Sequence, residues 1–456
     1  MIKTDFLFVY EVKNRELENI TLLAAELQRR GFSVAFLNTW ACLDLKFEDY
    51  DAEVVVVSAC YTSDTYKYFT RHAAKFKKVV NLQWEQVLRN GYAEADGATS
   101  WDFSGEALRT RHICWGENTK NRLMAKYNVA EEFLKVTGYI SLDFYRPEFA
   151  SFIKSKEELY SEFGLDTNKT TSLFISSFAI ATMPKENMGT APGDFNEVFV
   201  KNTIDSQKAV LDWFGTACRE YPDHQFIYRA HPSESDNPVL LKLAKEIPNF
   251  FYISKYPVKH WIVNCDKIYN WTSTSAAEVY AAGKQAFIVE PVPVDHRVTY
   301  PFFEGGKTLK SYEDFRASID MDISLPNQPL DVTKFAECYM QTDVPVYKKL
   351  CDVLEETHRS SDYSSRCYYP KNTQKDRNFE IVYSKFWNTK LNMALFRLAK
   401  NTTWNIGLLN KRRDLAFPEG KPDAARKKYY QSRTKANFSS TEEISALVKK
   451  FREIIG

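Results

Sequence analysis

The sequence predicts an α/β protein with two domains, each built on a parallel sheet that carries helices on both faces. With 456 residues, the chain exceeds the roughly 250 to 300 residues at which a single hydrophobic core stops growing. Short runs of apolar and β-branched residues alternate with helical stretches along most of the chain. These runs are apolar on both faces, which indicates strands covered from both sides.

The first domain is expected to cover residues 1–150. An apolar run at residues 5–10 precedes a helical stretch that ends at Gly31. The apolar residues of this stretch recur at helical spacing: Ile20, Leu23, Ala24 and Leu27. Further strands are predicted at residues 33–38, 52–59, 78–83, 111–117 and 133–139.

The second domain is expected to cover residues 165–310, because the same rhythm restarts after a polar break between Tyr145 and Lys169. Its strands are predicted at residues 171–178, 224–232, 250–254, 266–271 and 285–291. Two such domains in tandem leave a cleft that faces the carboxyl ends of both sheets, where open α/β folds bind ligands.

Residues 311–456 are predicted to be mostly helical, and the chain becomes rich in Tyr, Asn, Lys and Arg from residue 363. One interpretation is a helical appendage packed on the two domains, with a solvated charged face. The other is a basic amphipathic face that rests on an anionic membrane surface. We expect a cytoplasmic protein, with contact at the inner face of the membrane under the second interpretation.

Bulk charge and cysteine content exclude several classes of protein. The formal net charge is only +2, which does not suggest a nucleic-acid binder, so any anion site must be local. The eight cysteines form no CxxC pair, and the histidines have no metal-ligand spacing. The two DxD sequences do not follow predicted strands, so we expect no metal ion and no other cofactor. No segment approaches the ~18 apolar residues of a membrane span.

The first informative motif is YRAHPSE, residues 228–234, at the end of a predicted strand. Arg229 offers bidentate donors to a phosphate, and His231 can donate one further hydrogen bond to the same anion. A strand end with incidental polar residues explains an isolated motif of this kind equally well.

The second motif is NWTSTSAAEVYAAGK, residues 270–284, which is predicted to run from strand through turn to helix. Ser273, Thr274 and Ser275 fall where the helix begins, so hydroxyls and free backbone N–H groups can hold a phosphate there. Glu278 follows one turn later, within reach of a ribose hydroxyl. Plain N-capping of a core helix is the alternative.

Together these motifs resemble the paired "HP" and "S/T" motifs of GT-B glycosyltransferases that use cytidine nucleotides. These include bacterial sialyltransferases, β-Kdo transferases of capsule and lipopolysaccharide assembly and, more distantly, CDP-glycerol glycerophosphotransferases. The resemblance covers residues 1–300 and extends to residues 11–17, 136–147 and 258–278, which look like bacterial surface-carbohydrate biosynthesis proteins. One departure is residues 138–143, GYISLD, where relatives often carry G-N-P-R-x-D with an arginine.

The resemblance implies roles for the matching residues. Arg229 and His231 would contact the nucleotide phosphate, residues 273–275 would cradle it, and Glu278 would hold the ribose. It also implies a GT-B architecture with two Rossmann-like domains that face a cleft.

The first domain is then expected to hold the acceptor and to supply a catalytic carboxylate. Glu11 and Glu16 follow the first predicted strand, and Glu85 follows another. Arg15 is a candidate partner for a substrate carboxylate, with a salt bridge to Glu11 or Glu16 as the alternative. A helix charge pattern accounts for Glu11 and Glu16 as well, and a solvated loop accounts for Glu85.

The leading hypothesis is a glycosyltransferase that moves a sugar, Kdo or a related ulosonic acid, from a CMP-activated donor to a glycan or glycolipid acceptor of the bacterial surface. Transfer of a polyol phosphate from a CDP donor is a close alternative. A non-hydrolysing UDP-sugar 2-epimerase and a non-catalytic glycan assembly protein are further alternatives with the same two-domain shape.

Overall fold

The computed structural model of the chain describes most of both domains and the end of the C-terminal region. The described residues are 2–38, 50–62, 78–86, 88–92, 103–182, 194–232, 234, 237–304, 306–322, 331–340, 342–360 and 437–456. The membrane-facing stretch expected from residue 363 falls largely outside them, and that expectation stays a prediction.

The first sheet is six-stranded, and its strands lie in the order β2-β1-β3-β4-β5-β6 with every pair parallel. These strands are β1 (Ile2–Tyr10), β2 (Val34–Asn38), β3 (Tyr50–Val57), β4 (Lys78–Asn81), β5 (Arg111–Cys114) and β6 (Leu134–Val136). The helices among them are α1 (Lys13–Arg29) and α2 (Glu117–Tyr127). Gly31, just past α1, has a φ of 92°, which favours glycine at this helix end.

The second sheet repeats this plan in the order β12-β11-β10-β7-β8-β9, again with every pair parallel. These strands are β7 (Thr171–Ile175), β8 (Gln225–Arg229), β9 (Phe250–Ile253), β10 (Lys267–Asn270), β11 (Ala286–Val289) and β12 (Lys307–Leu309). The helices among them are α3 (Lys156–Phe163), α4 (Asp194–Glu220), α5 (Pro238–Glu246), α6 (Val258–Asn264) and α7 (Ser275–Ala281).

Both sheets are covered on both faces, as the apolar runs predict. Every residue of β4, β5, β7, β8, β10 and β11 is buried. The predicted α/β fold class is therefore confirmed, and the polar groups of these strands are accessible only where the strands end.

The C-terminal region returns to the first domain. Its described helices are α8 (Tyr312–Asp320), α9 (Val332–Cys338), α10 (Val346–Arg359) and α11 (Thr441–Ile455). Both α10 and α11 pack on α1. Phe451 is fully buried, with its ring 4.6 Å from that of Phe152. Within the described residues, no helix is both long and apolar enough to cross a bilayer.

All strands of each sheet stay parallel, but the order in which successive strands are added to the sheet reverses at one place. In the first sheet the reversal lies between β1 and β3, and in the second it lies between β7 and β10. Ligands of open α/β sheets bind outside the carboxyl ends of strands at such switch points. The motif at residues 270–284 leaves β10 directly at one of them.

A buried ion pair joins the two domains close to these switch points. Lys259 of α6 places its Nζ 2.7 Å from Oε2 of Glu18 in α1, and His260 Nε2 lies 3.5 Å from Oε1 of the same carboxylate. The Lys259 ammonium also lies 3.9 Å from the ring centroid of Phe144, in the segment that connects the domains. Breaking a buried pair leaves an uncompensated charge, so this contact fixes one domain against the other.

Burial by itself raises the pKa of Glu18, but attraction to Lys259 and the contact with His260 outweigh burial and lower the pKa to about 2. A carboxyl group whose pKa is depressed by folding stabilises the native state above its ordinary pKa. That stabilisation disappears as the pH falls from about 4.5 to about 2.

We predict that Glu18→Gln destabilises the protein at neutral pH and that its disadvantage relative to the wild type shrinks by about 3 kcal/mol as the pH falls from about 4.5 to about 2. Urea unfolding across this pH range measures the difference. Glu157→Gln, at an exposed glutamate of α3, is the matched control and should change stability by less than about 0.5 kcal/mol at each pH. A difference that does not vary with pH would contradict the assignment.

Candidate functional site

The loop after β8 is built around the half-buried carboxylate of Glu234. Its Oε2 accepts hydrogen bonds from Ser176 Oγ at 2.6 Å and from the backbone N–H of His231 at 3.1 Å. Its Oε1 accepts from the Tyr228 hydroxyl at 2.8 Å and from Gln207 Nε2 at 3.1 Å. Burial raises the pKa of Glu234 above its ordinary value even though these bonds favour the charged form. The network fixes the backbone that presents His231 to the cleft.

Arg229 lies at the end of β8 but its guanidinium is buried. Its NH1 donates to the carbonyl of Ala230 at 3.2 Å, and its NH2 donates to the carbonyl of Tyr256. Nε is buried and has no hydrogen-bond partner within the described part of the chain. Burial lowers the pKa of Arg229 to about 10, while the nearby charge of Glu278 acts in the opposite direction. Direct contact between Arg229 and a phosphate stays a prediction.

The hydroxyl-rich turn lies between β10 and α7, as the sequence predicts. Ser273 Oγ accepts the backbone N–H of Ser275 at 3.2 Å, and Thr274 is the N-terminal flanking residue of α7. The side chains of residues 273–275 are partly exposed. Their hydroxyls are therefore partly accessible at the carboxyl end of β10, and contact with a phosphate stays a prediction.

Glu278 lies one turn further along α7 and is buried. One carboxylate oxygen accepts the Tyr145 hydroxyl at 3.0 Å. Burial raises the pKa of Glu278, and the positive charges of Lys259 and Arg229 oppose this rise. Glu278 thus contacts the segment that connects the domains. Its expected hydrogen bond to a ribose stays a prediction.

Glu16 is fully buried at the switch point of the first sheet. Its Oε2 accepts hydrogen bonds from Ser58 Oγ at 2.5 Å and from the backbone N–H of Glu11 at 2.7 Å. Its Oε1 accepts a hydrogen bond from the Arg15 guanidinium at 2.8 Å. Both oxygens of Glu16 are therefore engaged inside the protein. The side chain of Glu11 is half-buried, and its backbone N–H is the group that donates to Glu16.

Arg15 pairs with two carboxylates. It contacts Glu16, and its NH1 lies 2.6 Å from Oε1 of Glu85. The alternative of a salt bridge to Glu16 is therefore realised, and Glu85 is an unforeseen second partner. Burial alone lowers the pKa of Arg15, but these two carboxylates raise it above its ordinary value. A fixed, charged Arg15 orients Glu85.

Glu85 is the most accessible of these carboxylates, with 49% of its side chain exposed. Burial raises its pKa, but Arg15 and, from the other domain, His231 together bring the pKa below its ordinary value. Glu85 is therefore ionised at neutral pH. Its pKa is influenced by His231, a residue that the sequence placed in a separate motif.

Two loops at the cleft have left-handed backbone at residues other than glycine. Gln83, two residues before Glu85, has a φ of 50°. Tyr256, whose carbonyl accepts a hydrogen bond from Arg229, has a φ of 66°. Such backbone is uncommon for these residue types and clusters at functional sites. Gln83 is held by the bond from its Nε2 to the carbonyl of Ile113 at 3.1 Å.

Among the described residues, no group of three or more His, Cys, Asp or Glu side chains is placed to hold a metal ion. The expectation of metal-independent chemistry stays a prediction. Sequence reasoning missed Glu234, although it is the last residue of YRAHPSE, because two of its partners, Ser176 and Gln207, come from distant segments.

We predict that Glu234→Ala lowers the free energy of unfolding by about 1–3 kcal/mol, because the buried donors of Ser176, Tyr228 and His231 lose their acceptor. Urea denaturation measures this loss. Glu246→Ala, at an exposed glutamate on α5, is the control and should cost less than about 0.5 kcal/mol. Equal losses for the two variants would show that the network does not hold the loop.

Comparison with known proteins supports the fold. No family model and no curated protein sequence matches the chain. A variant of the wall teichoic acid polymerase TagF matches with a TM-score of 0.52 and 9% identity, covering 78% of this chain and 89% of that chain. S. aureus MnaA in complex with UDP matches with a TM-score of 0.49 and 14% identity, covering 78% and 96%.

UDP-GlcNAc 2-epimerase from Neisseria meningitidis, bound to UDP-GlcNAc, matches with a TM-score of 0.48 and 14% identity, covering 78% of this chain and 100% of that chain. Likenesses at these identities concern the fold. The match to TagF and the two facing six-stranded parallel sheets establish that the chain has the GT-B fold implied by its motifs.

Proposed function

We propose that the chain is a glycosyltransferase that moves a sugar from a nucleotide-activated donor to a glycan of the bacterial surface. One observation carries the proposal: the half-exposed Glu85 follows β4 of the first domain, is held by Arg15, and has a pKa that is lowered in part by His231, on the loop after β8 of the second domain. A carboxylate and an imidazole on opposite walls of a GT-B cleft suit an acceptor hydroxyl on one side and a donor phosphate on the other.

The network around Glu85 supports its selection among the three carboxylates. Glu16 is engaged at both oxygens and acts as a positioning residue for Arg15. Arg15 holds Oε1 of Glu85, whose Oε2 has no hydrogen-bond partner among the residues that the structure describes. Glu85 can therefore accept a hydrogen bond, and then the proton, from an acceptor hydroxyl.

On the donor side, the leaving phosphate gains negative charge as the glycosidic bond breaks. His231 and the backbone and hydroxyl groups of residues 273–275 are the groups proposed to stabilise this charge. Arg229 contributes its positive charge from beneath the surface, because its guanidinium is bound to backbone carbonyls.

The finer identity of the substrates rests on the resemblance of the motifs. By that resemblance the donor is a cytidine nucleotide carrying Kdo or a related ulosonic acid, and the acceptor belongs to capsule or lipopolysaccharide. Arg15 would bind the ulosonate carboxylate, for which 28% of its side chain is exposed. Contact of the region after residue 363 with the inner face of the membrane belongs to the same proposal and rests on composition.

Transfer of a polyol phosphate from a CDP donor is the second candidate. Two observations favour it: the motifs also resemble CDP-glycerol glycerophosphotransferases, and a wall teichoic acid polymerase shares the fold with a TM-score of 0.52. The cytidine nucleotide and the phosphate contacts would be common to both candidates.

We predict that CMP or CDP raises the melting temperature more than UDP or GDP at equal concentration, with a chelator present. A ligand that binds only the native state stabilises it by mass action. His231→Ala should weaken binding by about 10- to 100-fold, because a hydrogen bond to a charged group is worth about 1.5–3 kcal/mol.

Lys242→Ala removes an exposed positive charge from the same domain and is the control, with unchanged nucleotide affinity expected. A preference for UDP would replace the cytidine assignment and favour a UDP-sugar enzyme, including a 2-epimerase. Absence of stabilisation by every nucleotide would refute the transferase and favour a non-catalytic assembly protein.

We predict that Glu85→Gln slows donor turnover by about 10²- to 10⁴-fold, because the amide cannot accept the acceptor's proton. Nucleotide affinity should stay unchanged, since Glu85 lies on the opposite wall. Release of nucleotide from the donor selected by the thermal-shift panel measures turnover. Glu132→Gln, at an exposed glutamate of the first domain, is the control. Full activity of Glu85→Gln would remove it from the catalytic role.

A further inference from the structure

A cavity of about 450 Å³ opens at the carboxyl ends of β10 and β11. Its size lies within the range of small-molecule sites. It begins at Thr272, directly before the turn of residues 273–275, so it adjoins the proposed phosphate position. None of the residues discussed above as catalytic or nucleotide-binding lines it.

The first domain closes one side of this cavity. Asn90 donates from its backbone N–H to the carbonyl of Thr299 at 2.9 Å and from Nδ2 to the carbonyl of His296 at 3.2 Å. All three residues line the cavity. The cavity is therefore complete only when the two domains are in contact. This is expected of a binding site that is used while a group is transferred between a ligand of one domain and a ligand of the other.

The lining combines an aromatic surface with acidic side chains. Trp271, Tyr300 and Phe303 supply the aromatic part, and Glu290 and Glu304 supply the carboxylates. Neither lysine nor arginine is among the described residues that line the cavity. Carboxylates only accept hydrogen bonds, so a ligand here must bring donors, and an anionic ligand would be repelled.

The negative charge of the lining is partly neutralised. Glu304 forms an ion pair with Lys334. Glu290 accepts the backbone N–H of Val294 at its Oε1 at 3.0 Å, and its Oε2 has no partner among the described residues. A hydroxyl donor suits this remaining acceptor. The cavity therefore does not strictly require a cationic ligand, because Lys334 already neutralises Glu304.

Trp271 belongs to the lining and has a donor without a partner among the described residues. Its side chain is buried, with its ring 4.8 Å from that of Phe178, and its Nε1 has no hydrogen-bond partner in the described part of the protein. A buried indole N–H normally finds an acceptor. A hydroxyl oxygen of a ligand that enters the cavity can supply it after a small movement of the ring.

We propose that this cavity binds a hydroxyl-rich sugar unit without negative charge beside the nucleotide phosphate. Hydroxyls satisfy both the Glu290 acceptor and the Trp271 donor, and the apolar face of a sugar ring suits the aromatic lining. The unit is the acceptor's sugar if the donor carries the anionic ulosonate proposed above, and it is the acceptor's or the donor's sugar if the donor carries a neutral one. Its place in a transfer reaction rests on the proposed function, whereas its binding does not.

The test uses three sugars that share one ring and differ in charge: glucose, glucosamine in its ammonium form and glucuronate. Saturation-transfer NMR with the full chain measures their binding. Glucose should bind, glucuronate should bind more weakly because the carboxylates repel it, and glucosamine should bind at least as tightly as glucose because Glu290 attracts its ammonium group. Tighter binding of glucuronate than of glucose, or no binding of glucose with or without nucleotide, would overturn the proposal.

Two variants locate the binding. Glu290→Gln and Trp271→Phe should each weaken glucose binding by about tenfold, as expected for the loss of one good hydrogen bond. Glu313→Gln, at an exposed glutamate on α8, is the control and should bind glucose as the wild type does. Wild-type affinity in both cavity variants would overturn the proposal, and the conservative Glu290→Gln variant keeps this test valid if Trp271→Phe is unstable.

Competition distinguishes the two sources of the sugar. If the cavity holds the acceptor, glucose and a nucleotide sugar bind together. If it holds the donor's sugar, the nucleotide sugar displaces glucose while the free nucleotide does not. Failure of the proposed function has a different signature, because nucleotides would then leave the melting temperature unchanged while glucose binding still depended on Glu290.

Discussion

The buried ion pair between Lys259 and Glu18 is the contact on which the cleft depends, because it holds the carboxyl ends of two parallel sheets against each other. The lysine approaches Glu18 at 2.7 Å from the other domain. Glu278, bonded to Tyr145 of the connecting segment, lies near the same lysine and extends the contact toward the turn after β10. A charge cluster of this kind fixes geometry more than it adds stability, since desolvation offsets much of the attraction.

From this contact, each wall of the cleft contains a carboxylate that organises a neighbouring group. In the first domain the buried Glu16 holds Arg15, and Arg15 orients Glu85. In the second domain the half-buried Glu234 holds the backbone of His231. Glu85 and His231 are the members proposed to meet substrates, and Glu16 and Glu234 restrict their positions, as preorganised electrostatic catalysis requires.

The strands and the two phosphate motifs could be predicted from the sequence because local periodicity and turn chemistry encode them. The role of Glu234 could not, since its partner Ser176 lies 58 residues away. The pair of Lys259 and Glu18 spans 241 residues, and no local pattern signals it. Likewise, position after a strand made Glu16 and Glu85 equal candidates, and only burial separates a fixed carboxylate from an accessible one.

The cleft therefore divides its ligands by charge. Cationic and neutral donors lie toward β8 and at the turn after β10, where an anionic nucleotide phosphate is stabilised. Acceptor-rich and aromatic groups, Glu290 and Trp271 among them, line the cavity toward β11, where we propose that a sugar binds. Because Thr272 lines this cavity and directly precedes the turn of residues 273–275, the two regions adjoin. An arrangement of this kind would stabilise charge on a leaving phosphate and keep anionic groups out of the neighbouring cavity.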